Sequence, residues 1–290
     1  MEVNLSNIGT VKSILAKHGF TFSKALGQNF LINPRVCPEM AAQSGAGHGV
    51  GVIEVGPGIG VLTCELARLA DKVVAIELDK RLLPVLDETL AEFDNVKIVN
   101  ADVMEIDLHA LIADEFAGME VVVCANLPYY ITSPVIMRLL EEKLPINSIT
   151  VMVQKEAAQR ICAPVGTRQS GAVTCAVNYY AEAQMLFKVS AGSFMPPPKV
   201  DSAVIKLNIR KEPPVNAADE EKMFAVIKAA FAQRRKTVLN SLSNSLHIDK
   251  AAVHSALAAS GIEDNARAEQ LSLEQFAQIA DNLHKTQSKK

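Results

Sequence analysis

The segment Asn126-Leu127-Pro128-Tyr129-Tyr130, directly after the apolar run 121–125, gathers a carboxamide, a rigid turn and an aromatic face into consecutive positions. Those groups suit the exocyclic amine of a flat base. Proline has no N–H and fixes its own φ, which stiffens the turn, while the Asn126 side chain and the Leu127 carbonyl can both accept hydrogen bonds from one amine. Tyr129 is then placed to stack on the ring. An adenine N6 is a poor nucleophile because its lone pair is delocalised, and two acceptors drawing on its hydrogens favour a pyramidal nitrogen able to attack an activated methyl group. The same string also makes an ordinary strand-to-loop turn, so its meaning depends on what the rest of the chain supplies.

The elements that must position it are legible from residue 51 to about 153. Short β-branched runs at 52–55, 73–76, 96–99, 121–124 and 149–153 alternate with helical stretches such as 62–69, the pattern of a parallel sheet covered by helices on both faces. Later, 184–189 and 203–209 flank the turn-rich Met195-Pro196-Pro197-Pro198-Lys199. Two strands that close together, with no helix between them, are expected to form an antiparallel hairpin that closes the sheet. Around Arg210-Lys211-Glu212-Pro213-Pro214 the pattern changes to helical periodicity. The expected domains are therefore 1–211, catalytic, and 212–290, a small all-helical domain. Within the latter, Asp249 is read as starting a helix that ends at Gly261, and Ser272-Leu273-Glu274-Gln275 as a capping box with Leu271 and Phe276 as its staple.

Glu54-Val55-Gly56-Pro57-Gly58-Ile59-Gly60 follows the first strand and precedes a helix, so its glycines let backbone N–H groups approach a ligand. Its G-x-G-x-G spacing departs from the G-x-G-x-x-G of a dinucleotide pyrophosphate loop and resembles the nucleotide loop of class I S-adenosylmethionine (SAM) methyltransferases. Gly56 and Gly58 are its candidate contacts. Glu77 ends the second strand, where a carboxylate can accept both ribose hydroxyls or stand solvated beside Asp79. Asp102, after the third strand, can accept from the cofactor's adenine amine or cap a helix. These sites and Asn126 all fall at carboxyl ends of consecutive strands, where doubly wound sheets bind their ligands.

Composition narrows the classes. A chain of 290 residues with 49% hydrophobic content is a folded globular protein with room for a large and a small domain. With no long apolar segment and no secretory leader, it is expected to be cytoplasmic and away from membranes. Five cysteines without a C-x-x-C pair and six scattered histidines fit neither a disulfide framework nor a zinc site, so no metal is expected. The net charge of -3 argues against bulk electrostatic binding to nucleic acid. Residues 212–290 carry ten acidic and ten basic residues. Any RNA contact must then be local, and Arg234-Arg235-Lys236 is the densest cationic cluster, unless it is a solvated helix face.

With the loop, both acids and the N-L-P-Y-Y string in order, the chain resembles the ribosomal RNA adenine N6,N6-dimethyltransferases that act on the small subunit. Leu26-Gly27-Gln28-Asn29-Phe30-Leu31 resembles the family's N-terminal motif that folds over SAM, with Asn29 and Leu31 as contacts. The stretch from Phe194 to Ser202 resembles its F-x-P-x-P-x-V-x-S segment, whose Phe holds the target base from the face opposite Tyr129; the residues alone would equally make Phe194 hairpin core. Phe231-Ala232-Gln233-Arg234-Arg235-Lys236-Thr237 resembles its F-x-x-R-R-K-T motif, and Lys24 stands in the N-terminal arm where relatives commonly carry two adjacent lysines. Ser23 takes the other place, which implies a weaker grip on RNA. The resemblance implies SAM as cofactor and a monomer that dimethylates two adjacent adenines near the 3′ end of small-subunit rRNA, in a pre-ribosomal particle. The competing readings are a large-subunit methyltransferase of the macrolide-resistance type, an assembly factor with vestigial catalysis and, more distantly, an NAD-dependent dehydrogenase.

Overall fold

The β-branched runs form strands where the sequence places them, each extended by one to three residues. In the computed structural model, which describes residues 5, 7–21, 29–233 and 235–287 without the side chains of 285–287, the chain divides into two compact units. The first comprises Met1–Ala158 and Ala183–Ile209, the second Gln159–Glu182 and Arg210–Lys290.

The first unit opens with helix α1 (Ile8–Lys17), strand β1 (Phe30–Leu31) and helix α2 (Val36–Ser44). Then β2 (Val50–Val55), α3 (Val61–Leu69), β3 (Lys72–Glu77), α4 (Leu83–Thr89), β4 (Val96–Asn100), α5 (Leu108–Glu115), β5 (Glu120–Asn126), α6 (Thr132–Glu141) and β6 (Ser148–Gln154) alternate. Helices α7 (Lys155–Ile161) and α8 (Ala172–Tyr180) precede β7 (Ala181–Val189), β8 (Phe194–Met195) and β9 (Ser202–Ile209). The sheet order is β4-β3-β2-β5-β6-β9-β7. Strands β2 to β6 pair in parallel, with Val52 opposite both Val73 and Val122, and β9 runs antiparallel to β6. The order reverses between β2 and β5, the switch point at which a doubly wound sheet opens a crevice.

Strands covered on both faces must be apolar throughout, and Val52, Ile53, Val73, Val74, Val123, Cys124, Ile149 and Val151 are fully buried. Gly51 is fixed by the same packing: a Cβ there would come within 2.1 Å of the Phe116 ring. On one side, Val11, Ile14 and Leu15 of α1 pack with Leu82, Val85 and Leu86. Arg138 of α6 donates through its guanidinium to the carbonyls of Val103 and Ile106, which fastens the loop after β4. A separate ladder of two residues pairs β1 with β8, placing Leu31 opposite Phe194.

In the second unit, α9 (Glu220–Phe231), α10 (Val238–Leu246), α11 (Lys250–Ala259) and α12 (Leu273–Gln287) supply the helices expected after residue 212. The Ser272 amide donates to Gln275 Oε1 and the Gln275 amide to Ser272 Oγ, a reciprocal cap with Leu271 and Phe276 buried beside it. This unit also draws in 159–182, from within the span that the sequence assigns to the catalytic domain. Aromatic packing is the reason: Tyr180 stacks on Phe224 at 5.2 Å, Tyr179 meets the same ring edge-on, and both hydroxyls donate to Glu220.

Candidate active site

The loop between β2 and α3 begins the site. Gly56, Gly58 and Gly60 all adopt positive φ, between 62° and 88°, a region in which a Cβ is strained. At Gly58 the absence of a side chain also admits Phe30, whose ring would lie 3.3 Å from an added Cβ. The Gly56 and Gly60 amides donate to the carbonyls of Ile76 and Pro57 and that of Gly58 to the Glu77 carboxylate, so the loop is held by its own hydrogen bonds while Gly56 and Gly58 line the cavity.

Glu77 is buried at the end of β3, and burial raises its pKa. The amides of Asp79, at 2.7 Å from Oε1, and of Gly58 pull in the opposite direction and fix the carboxylate in place. Asp79 in turn chelates the Arg81 guanidinium, with distances of 2.8 and 2.6 Å, and that guanidinium lies 5.0 Å from the centre of the Phe20 ring. Asp102 follows β4; its Oδ1 accepts from the Met104 amide at 2.8 Å and its carbonyl from the amides of Glu105 and Ile106. Asp102 thus stabilises its own turn and not a helix, α5 being capped by Asp107, and it also lines the cavity.

Asn126 ends β5, half-buried, and its carboxamide makes no hydrogen bond to another described residue. The Leu127 side chain is buried, and the Pro128 carbonyl accepts from the Ile131 amide at 3.1 Å, which closes a turn with Tyr129 and Tyr130 at its centre. The Tyr129 hydroxyl is 2.7 Å from Ser202 Oγ on β9, and partial burial raises its pKa. Phe194, on β8, is 3% exposed and packs with Leu31 and Val36 in a hydrophobic cluster while one part of it faces the cavity. The ring is therefore part of the core and also borders the cavity.

One cavity brings these groups together. Asn29, Leu31, Gly56, Gly58, Glu77, Asp102, Asn126, Leu127, Pro128, Tyr129 and Phe194 all line it. It also holds a residue that the sequence reading passed over. Glu54, 1% exposed, reaches the cavity from β2; burial pushes its carboxyl up to about 8, and the neighbouring Glu77 charge adds to the effect. The nearby Thr63 hydroxyl works against the shift, yet Glu54 Oε2 has no hydrogen bond of ordinary length. A charged residue inside the apolar run Val52-Ile53-Glu54-Val55 was the available signal, because a strand buried on both faces tolerates a carboxyl only with a partner.

Of the cationic positions, Arg235 and Lys236 are exposed on the turn between α9 and α10 and not on a helix face. Lys24 and Arg234 lie outside the described residues, as do Leu26, Gly27 and Gln28 of the N-terminal motif. Among the described residues no group of His, Cys, Asp and Glu side chains is gathered to hold a metal ion, and no helix is long and apolar enough to cross a membrane.

The family profile described as "Ribosomal RNA adenine dimethylase" matches residues 19–285. Ribosomal RNA small subunit methyltransferase A of Geobacillus thermodenitrificans is 49% identical over 287 residues, 98% of each chain. The protein of that name from Alkaliphilus oremlandii is 46% identical, over 97% of this chain and 98% of its own. Among solved structures, the 23S rRNA methyltransferase ErmE is 28% identical with a TM-score of 0.63, covering 88% of this chain and 100% of its own. A dimethyladenosine transferase from Plasmodium falciparum, 22% identical over 89% of this chain and 98% of its own, has a TM-score of 0.70 and shares the fold. The first unit is a class I SAM-methyltransferase sheet, mostly parallel, with antiparallel strands at one edge.

Proposed function

The chain belongs to the ribosomal RNA adenine dimethylase family, and on that premise we propose that it dimethylates N6 of two adjacent adenines near the 3′ end of small-subunit rRNA, in a pre-ribosomal particle. The observation that carries the reading is the single cavity in which the glycine loop, Glu77 and Asp102 meet Asn126 and Tyr129. The small-subunit substrate is favoured over the macrolide-resistance type by identity, 49% against 28%. Intact Glu77, Asp102 and Asn126 argue against vestigial catalysis.

The residues present fit SAM. The positive-φ glycines leave room for a ligand close to the backbone, Glu77 offers a fixed carboxylate for ribose hydroxyls, and the unpartnered Glu54 oxygen calls for a cationic or N–H donor. Asp102 is assigned to the adenine amine, with Asn29 and Leu31 covering the cofactor from the N-terminal side. When bound, SAM supplies an electrophilic sulfonium methyl.

The rest of the chemistry is positioning. Asn126 Oδ1 and the Leu127 carbonyl accept the hydrogens of the target amine, which directs its lone pair away from both acceptors and towards the cofactor. Pro128 keeps the two acceptors in register. Tyr129 and Phe194 sandwich a base taken out of its stack. The alkylated, cationic N6 is acidic, so its proton leaves to water without a strong base, in keeping with a cavity whose described lining contains no His or Lys. Catalysis is assigned to residues 1–211 and RNA binding to 212–290, with Arg234, Arg235 and Lys236, together with Lys24 of the arm, on phosphates. The expected form is a cytoplasmic monomer.

Incubating the purified protein with immature small subunits and methyl-labelled SAM, then mapping the modified nucleotides, tests the reading. Label confined to N6,N6-dimethyladenine at two adjacent positions supports it; label at other nucleotides, or none, overturns it.

A further inference from the structure

Tyr130 is the residue of the N-L-P-Y-Y string to which the chemistry above gives no task. Among the described residues it is the most exposed large apolar side chain, at 56%, and the others in that group, Ile8, Leu69, Leu78, Met104 and Val200, are aliphatic or thioether side chains. It is not a stray surface residue, because it lines the same cavity as Asn126 and Tyr129. The turn closed by Ile131 N–H and the Pro128 carbonyl holds Tyr129 and Tyr130 at its two central positions, and the Thr132 hydroxyl donates to the same carbonyl. The backbone beneath both rings is therefore stiff. Tyr129 is further tied by its hydroxyl to Ser202, whereas no described residue stacks on Tyr130 or bonds its hydroxyl.

A rigid aromatic plane held open to water at the mouth of a base pocket has the properties of a stacking platform, since every base offers a π-face and a Tyr loses little side-chain freedom on contact. One phosphodiester joins a base inside the pocket to its neighbour, which must then lie at the mouth. We propose that Tyr130 stacks the base of the nucleotide adjacent to the target adenine, so that the two tyrosines read a dinucleotide step and not a single base. The inference rests on the proposed RNA substrate. It gives the exposed ring a task in RNA capture that is separate from methyl transfer.

The test uses the full-length protein, SAM and immature small subunits, comparing Tyr130→Ala, Tyr130→Leu and Tyr130→Phe. The Ala variant is expected to raise KM for the particle roughly 10-fold, with SAM affinity and single-turnover transfer at saturating particle unchanged. Phe should recover most of that loss and Leu little, because stacking needs a flat ring. A KM equal to that of the unmutated protein, a Leu variant as good as Phe, or weakened SAM binding would each overturn the proposal, the last by moving the ring to the cofactor. Failure of the unmutated protein to methylate the particle would instead sink the functional reading.

Discussion

The two halves of the cavity differ in how much of their hydrogen bonding is already made. On the cofactor side, the Glu77 carboxylate holds the amides of Asp79 and Gly58, Asp79 chelates Arg81, Asn100 donates to the Glu77 carbonyl, and Asp102 secures its own turn. On the other side, Asn126 has no partner among the described residues, and Tyr130 stands in water. A small ligand needed in every round is met by a prebuilt site whose groups need no reorganisation on binding. A base that must be drawn out of a large RNA meets groups left free for it. Leaving Asn126 unpaired is tolerable because water reaches it, and its acceptor gains strength only when the base displaces that water.

The contrast breaks most visibly at Asn126. Replacing it with Ala is expected to slow methyl transfer roughly 100- to 10,000-fold in single-turnover assays while leaving SAM and particle affinity near their starting values. A variant that transfers at the original rate would reduce Asn126 to a turn residue. Glu77→Ala is the converse: SAM affinity by calorimetry should fall about 5- to 150-fold, the loss of a charged acceptor being worth roughly 1 to 3 kcal/mol, while the affinity for the particle stays put. Unchanged SAM binding would remove Glu77 from the cofactor site.

Glu54 sharpens the comparison, as a buried carboxyl with an oxygen left unsatisfied on the otherwise prebuilt side. In the free protein its carboxyl is neutral below about 8, and a cationic ligand favours the ionised form, so binding should release a proton and tighten as pH rises towards 8. Calorimetry in buffers of different ionisation heat reads the proton directly, and Glu54→Gln should abolish its release. Without ligand the raised pKa works against stability as pH rises: the penalty is absent below 4.5, grows above it and is complete once pH has passed about 8.

Neutralising Arg234 and Arg235 should flatten the salt dependence of particle binding by about one unit of slope for each phosphate that no longer meets a cation, with SAM affinity unmoved. A slope that stays the same would place the RNA-binding surface elsewhere. The smallest effect is expected at Ser202→Ala, which frees the Tyr129 hydroxyl and should lower kcat/KM for the particle about 5-fold, a single net hydrogen bond. No change there would mean that the proline turn alone orients Tyr129.

What could be read beforehand follows from how local each determinant is. The strands announce themselves through their own β-branched runs, and the cap at Ser272 through residues three apart. Glu77, Asp102 and Asn126 are found because strand ends are found. Helix α8 is hidden by its composition, since Ala172–Tyr180 contains Val, Thr and Tyr that favour strands in isolation, and it is packing on Phe224 that makes it a helix. The Tyr129–Ser202 bond spans 73 residues, and the facing of Leu31 and Phe194 depends on a ladder that no periodicity encodes.

That ladder joins Leu31, assigned to the cofactor, with Phe194, assigned to the target base, on one short piece of shared backbone. With Leu31 on the cofactor and Phe194 on the base, the ladder offers a physical route for coupling the two ligands, and thermodynamic linkage makes any such coupling mutual: by whatever factor SAM tightens the grip on RNA, RNA tightens the grip on SAM. Loss of the methyl group relaxes one end of this pair. Coupling along this ladder would let departure of the spent cofactor loosen the modified base.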